Sequence, residues 1–160
     1  MGEVQVRPLD RTDADWVVQL LVERWHSAKV VSRGKVHYAD GLPGFVALLG
    51  NRRVGLLTYR IESGECEIVT LDSLMERIGI GTSLIRAVRS VAVSSKCRRL
   101  WLITTNDNLN ALRFYQRRGF SIAALYRNAL DLSRKLKPEI PPMGLDEIPL
   151  RDELELETLL

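Results

Sequence analysis

At 160 residues the chain is long enough to bury one core without staples, and its two cysteines, Cys66 and Cys97, are too few for a disulfide framework and lack metal-ligand spacing. Formal charge is +3, but from residue 139 onward seven acids stand against Arg151, a net of −6, which leaves +9 on the rest of the chain. A basic body suits a nucleic acid or the phosphates of a nucleotide-containing cofactor equally well, so charge alone does not choose. Glu3 and Asp10 break any signal-peptide core and no apolar run nears the roughly 20 residues of a membrane span, so a cytoplasmic protein with no membrane partner and no metal is expected.

In chain order, residues 4–9 have strand character, and Thr12 with Asp15 three residues on forms a capping-box-like helix start. Val17, Leu20, Leu21 and Trp25 then recur at helical spacing. From 26 to 44 the periodicity fades, predicting a long connection with at most a short helix inside. Residues 45–49 and 54–61 read as a hairpin across Gly50 to Arg53, and Ser63-Gly64 returns the chain into a third antiparallel strand over 66–71. Leu84, Ile85, Val88, Val91 and Ala92 mark one face of an amphipathic helix.

A strand over 100–104 follows, then a helix capped by Asp107 or Asn108 and stopped at Gly119. A strand over 121–125 and a helix over 131–137 come next, and Pro138, Pro141, Pro142 and Pro149 keep the following stretch irregular. The alternation Glu153-Leu154-Glu155-Leu156-Glu157 has the period of a half-buried strand. The expectation is a single α/β domain over 1–160: a mixed, mostly antiparallel sheet of about 6–7 strands flanked by helices, with a core over 4–125 and an acidic, proline-rich segment over 138–160 adding a last strand.

The segment Glu76-Arg77-Ile78-Gly79-Ile80-Gly81-Thr82 sits between a strand and an amphipathic helix. Glycines there let backbone approach a ligand, and a helix N-terminus offers unpaired N–H groups and the positive end of a dipole, together an anion site. Downstream lies Asn108-Leu109-Asn110-Ala111-Leu112-Arg113-Phe114-Tyr115, ending near Gly119-Phe120. On these two elements the chain resembles the GNAT superfamily of CoA-dependent N-acyltransferases, with Gly79, Gly81, Asn108, Ala111, Phe114, Tyr115, Gly119 and Phe120 in register and the order of elements matching from 4 to 125. Glu76 stands where the family most often places Arg or Gln, with Arg77 adjacent to take over the phosphate contact, and the loop over 72–77 is shorter than in many members.

The resemblance implies two splayed central strands, here 66–71 and 100–104, with acetyl-CoA as co-substrate between them. It places the pyrophosphate on the backbone of Arg77, Ile78, Gly79, Ile80, Gly81 and Thr82, the thioester near Leu71, and the pantetheine beside Asn108 and Ala111. Tyr115 is similar to the residue that protonates the departing thiolate, and Glu67 resembles a position where some members carry the base. On an extended chain Glu67, Val69 and Leu71 share one face; a salt-bridged strand glutamate is the competing reading of Glu67. His26 and His37 lack motif partners, and Trp101 reads as core.

The functional expectation is acetyl transfer from acetyl-CoA to a primary amine, small-molecule or peptide, by direct attack in a ternary complex. A non-catalytic acyl-CoA-binding module of the same fold and a basic nucleic-acid-binding domain are the alternatives. If the acidic tail strand borders the acceptor cleft, its carboxylates favour a cationic amine, and as an added edge it offers a surface for a homodimer.

Overall fold

The computed structural model describes residues 2–160. Its elements are β1 (Val4–Pro8), α1 (Ala14–Trp25), β2 (Lys29–Ser32), β3 (Lys35–Tyr38), β4 (Gly44–Leu49), β5 (Arg52–Glu62), β6 (Glu65–Ser73), α2 (Ile80–Ser94), β7 (Arg99–Thr105), α3 (Leu109–Gln116), β8 (Ser121–Tyr126), α4 (Ala129–Leu136) and β9 (Glu153–Leu159). Seven strands form one sheet in the order β1-β4-β5-β6-β7-β9-β8; β2 and β3 pair separately as a hairpin. Only β6 and β7 run parallel within the large sheet.

Both sheet faces are covered. Leu84, Ile85, Val88 and Ala92 of α2 pack with Leu57, Ile68, Leu100, Leu102 and Leu156 on one face, where each fully buried aliphatic side chain stabilises by roughly 1.5–3 kcal/mol. On the other face Val17, Leu20 and Leu21 of α1 meet Leu56, Val69 and Val30. The start of α1 is fixed differently from the sequence reading. Asp10 accepts from Thr12 N–H, and Asp13 accepts from Asp10 N–H, completing the box two residues earlier than Thr12 and Asp15 would. Asp13 also takes Arg7 through both carboxylate oxygens (2.7 and 2.9 Å) and Arg53 Nε (2.9 Å), tying β1 and β5 to the helix entry.

Three further expectations are corrected. Residues 26–44 are not a bare connection: Arg33-Gly34, both at positive φ, turn the chain so that Val30 pairs with His37, and the hairpin lies over the sheet. The tail strand is not an edge. It inserts between β7 and β8, pairing Arg99 to Thr105 with Leu159 to Glu153, so the edges are β1 and β8 and the dimer route through an added tail edge is closed. Its glutamates are not on a solvated face either, since Glu153 and Glu155 are 2% and 5% exposed beneath the hairpin.

Candidate active site

Parallel pairing of β6 with β7 covers only Glu65 to Ile68 against Arg99 to Leu102, and beyond Ile68 the two strands part. The register of β6 against β5 shifts at the same place: Thr58 pairs with Thr70 but Tyr59 with Ile68, leaving Val69 as a bulge. A bulge resets the alternation of faces. Ile68 and Leu71 therefore pack toward α2, while Glu67, Val69 and Asp72 face α1 and the hairpin. Glu67 and Leu71, expected on one face, lie on opposite faces of the sheet.

On the α2 face the parted strands open into a cleft of about 530 Å³ lined by Leu71, Met75, Arg77, Gly79, Gly81, Thr82, Ala111 and Tyr115. It continues into a groove rimmed by Arg77, Arg113, Arg117 and Arg118, with Glu76 as its single acid. Gly79 takes φ +80° as the N-cap of α2, and a Cβ built on it would meet only open space, so the first N–H groups of α2 face an uncrowded, cation-rimmed hollow. That geometry fits a diphosphate.

Gly81 is small for a second reason. A Cβ there would stand 2.7 Å from Phe114 Cζ, so this glycine lets α3 close against the first turn of α2. Ile78 and Ile80 turn their side chains into the core and leave only backbone for a ligand. Thr82 Oγ1 accepts from Arg118 Nε (2.9 Å), and the Arg118 guanidinium lies 3.7 Å over the Phe114 ring. Arg118 was not among the expected site residues; it lies in the turn after α3, and its spacing from Ala111 and Phe114 was the available signal. Asn108 caps α3 by accepting from Ala111 N–H (3.1 Å) and lines the gap between the strands, whereas Asn110 lines the cleft with Ala111.

Tyr115 is buried against Phe114 and Phe120 and lines the cleft. Burial, with the Asp72 carboxylate nearby, holds its phenol well above the ordinary value. Asp72 accepts from Trp25 Nε1 (3.0 Å), and burial pushes its carboxyl up in turn.

Through the gap, on the α1 face, lies a smaller hollow of about 130 Å³ whose walls include Glu67, Val69, Ile103, Asn108 and Glu153. Glu67 accepts from Ser32 Oγ (2.9 Å), with Arg60 Nη1 at 3.5 Å and His37 Nε2 at 3.9 Å. Burial raises its carboxyl above the usual range despite Ser32 and Arg60. His37 Nε2 is buried without a hydrogen-bond partner, and burial lowers its imidazole. Burial pushes Glu153 up to about 7, the Arg33 backbone N–H opposing and the neighbouring Glu67 charge adding to it.

Glu153 was also missed, because a Glu-Leu alternation does not say which face is covered. Its neighbouring acids on and just before β9 are spent: Glu155 accepts from Arg33, Arg99 and Tyr126, Glu157 from Arg99, and Asp152 from Arg151 and Asn128 N–H. Of the acidic strand β9, Glu153 is the carboxylate lining the hollow. Trp101 is half-buried under the Arg99 guanidinium (4.9 Å) in the wall of a charged pocket rather than in the core. Cys66 and Cys97 are buried, with burial pushing the Cys66 thiol up to about 12, which suits packing and not nucleophilic attack.

A sheet parted at one strand pair, with an anion-ready helix start on one side, has counterparts among known proteins. Residues 12–120 match the model of the acetyltransferase (GNAT) family. The chain belongs to that family. Among curated relatives, it is 40% identical to YdhI of Bacillus subtilis over 139 residues (86% of this chain, 87% of that one) and 39% identical to YxbD of the same organism over 154 residues (96% and 97%), both described as uncharacterized. The fold is that of the IAA acetyltransferase from Bacillus cereus (TM-score 0.75, 20% identity, 99% and 100% of the chains covered). It is equally that of a GNAT acetyltransferase from Elizabethkingia anophelis with acetyl-CoA bound (TM-score 0.71, 17% identity, 100% of both chains). Family and fold together support an acetyltransferase. Among the described residues no group of three His, Cys, Asp or Glu is arranged to hold a metal ion, and no helix is long and apolar enough to cross a membrane.

Proposed function

We propose that the chain acts as one unit, an N-acetyltransferase moving an acetyl group from acetyl-CoA to a primary amine by direct attack with both bound at once. The observation that carries this is the two-sided opening at the parted strands. One side is a cation-rimmed cleft under Tyr115; the other is a carboxylate-lined hollow holding Glu67; and the two flank the place where β6 and β7 part. Two reactants can enter from opposite faces and meet in the sheet.

When bound, acetyl-CoA supplies an activated thioester. The α2 start at Gly79, Ile80, Gly81 and Thr82 would hold its diphosphate by N–H groups, with Arg77 and Arg118 screening charge. Leu71 lies on β6 where β7 no longer pairs, so backbone there can donate to a carbonyl oxygen as charge develops. Ala111 leaves room beside α3, and Asn108 stands at the gap. Glu67, made a stronger base by burial, takes a proton from the amine. Tyr115 holds its proton at any working pH and gives it to the departing sulfur as the nitrogen's second proton replaces it, so that no buried phenolate is left.

Thiol release from acetyl-CoA, measured against a panel of amines, tests this reading. Tyr115→Phe should lower kcat about 100-fold with KM for acetyl-CoA nearly unchanged. Full turnover by that variant would remove Tyr115 from the reaction.

A further inference from the structure

Beyond the hollow at Glu67 the α1 face opens into a second chamber of about 500 Å³, within the range of small-molecule sites. The two share Trp25, Val30, Val31, Thr105 and Glu153, so the chamber is continuous with the place where the amine must sit. Its walls are largely apolar: Leu130 from α4, and Ile140, Pro141, Met143, Leu145 and Leu150 from the segment after α4.

The polar groups along these walls are mostly used to build them. Lys137 Nζ donates to the carbonyls of Trp25 (2.6 Å) and Lys29 (2.7 Å), clasping α4 to the hairpin. Asp107 accepts from Thr105 Oγ1 (2.5 Å) and from Leu145 N–H (2.8 Å), and Gly144 packs so close to it that a Cβ would overlap its carboxylate. Glu153 is different: its side chain meets no cation within ion-pair distance, and it stands at the junction of chamber and hollow opposite Glu67. Arg24 and His26 are exposed at the mouth, where Arg24 disfavours a ligand carrying a second positive charge.

We propose that the acceptor is a primary amine carried on a single apolar body, its ammonium seated between Glu67 and Glu153 and its body filling the chamber closed by residues 140–150. The inference rests on the acetyl-transfer reading for its chemistry, and it names the substrate class that reading leaves open. The step balances within the pair. The ammonium gives one proton to Glu67, the nitrogen lone pair forms the C–N bond as the C–S bond breaks, the sulfur takes the Tyr115 proton, and the nitrogen's second proton returns to Tyr115. A single buried anchor for one charge, with apolar walls around the rest, selects against polyamines, which carry more cations, and against amino acids, whose carboxylate would meet Glu67 and Glu153.

Two readouts test it on the full chain. The first is calorimetric titration of 2-phenylethylamine, hexylamine, spermidine and alanine into the protein without acetyl-CoA; the second is acetyl transfer to the same four amines. The apolar amines should bind, and their kcat/KM should exceed those of spermidine and alanine about tenfold or more. Glu153→Gln, and independently Met143→Lys at a half-exposed wall position, should raise KM for 2-phenylethylamine about tenfold while acetyl-CoA affinity stays within about twofold. Preference for spermidine or alanine, or acetyl-CoA binding with neither apolar amine acetylated, overturns the inference. Failure of acetyl-CoA to bind at all would strike the acetyl-transfer reading instead; the amine titration alone would then decide the chamber, binding of the apolar amines supporting it and no binding ending it.

Discussion

At the scale of single residues the site is built from groups that burial has moved away from their ordinary ionisation. Glu153, pushed up to about 7, is neutral in acid and charged above neutrality, and burial pushes the Glu67 carboxyl in the same direction. Only the charged forms hold an ammonium or take its proton, so kcat/KM should fall as pH drops through about 7, with Arg33, Arg60 and His37 as the neighbours that tune the midpoint. A raised carboxyl also costs stability. The folded protein keeps a proton on Glu153 that the unfolded chain releases near pH 4.5, so between that pH and about 7 stability declines as pH rises. Compared with wild type, Glu153→Gln should therefore gain roughly 1–3 kcal/mol at pH 7.5 relative to pH 5, read from urea unfolding at both; equal differences at the two pH values would show the shift is absent. Glu76 sets an acid on a groove otherwise rimmed by arginines, so Glu76→Gln should tighten CoA binding about two- to fivefold, and weaker binding would mean that it faces away from the ligand.

At the scale of elements, the strands and helices were readable and the faults in the sheet were not. Strands over 45–49, 54–61, 66–71, 100–104 and 121–125, and the apolar face of α2, follow from period-2 and period-3.6 patterns that local burial enforces, and all appear within a few residues of the expected bounds. The Val69 bulge left no such mark: Glu67-Ile68-Val69-Thr70-Leu71 reads as ordinary alternation, and only pairing with Tyr59 and Thr58 shows the extra residue. The β2–β3 hairpin was lost for a similar reason. Its strands are four residues each and polar residues interrupt them, so their order comes from covering the sheet rather than from their own pattern. The motif around Gly79 and Tyr115 was legible because it is contiguous, whereas Arg118 and Glu153 join the site only through packing.

The contact between α2 and α3 carries a prediction of its own. Gly81→Ala should cost about 1–3 kcal/mol through collision with Phe114, and a bulkier side chain should unfold the pair. A Gly81 variant with unchanged Tm would mean that α3 can slide away at little cost.

At the scale of the whole molecule, charge is arranged in internal pairs more than on an acidic tail and a basic body. Arg99 joins Glu65 on β6 to Glu155 and Glu157 on β9 across β7, holding together the strands just before β6 and β7 part. Asp13 does the same at the other end, where Arg7 holds its carboxyl well below the usual carboxylate range. Stability drawn from Asp13 is present above the unfolded-state value near 3.8 and lost as pH falls further, so Asp13→Asn should destabilise by about 3 kcal/mol at neutral pH and remove part of the acid transition. A variant as stable as wild type at neutral pH would reduce this buried cluster to packing. The tail strand entered the sheet interior because its leucines complete the α2-side core while its glutamates meet Arg33 and Arg99, a match that neither segment shows alone.

The measurement that bears most directly on the central claim is calorimetric titration of acetyl-CoA into the wild type and into Arg118→Gln, with circular dichroism showing both folded. The two-sided opening predicts one site per chain with a dissociation constant on the order of micromolar, weakened about tenfold in the variant. No binding by the folded wild type, or equal affinity in the variant, would contradict the placement of the diphosphate between the start of α2 and Arg118 in the turn after α3.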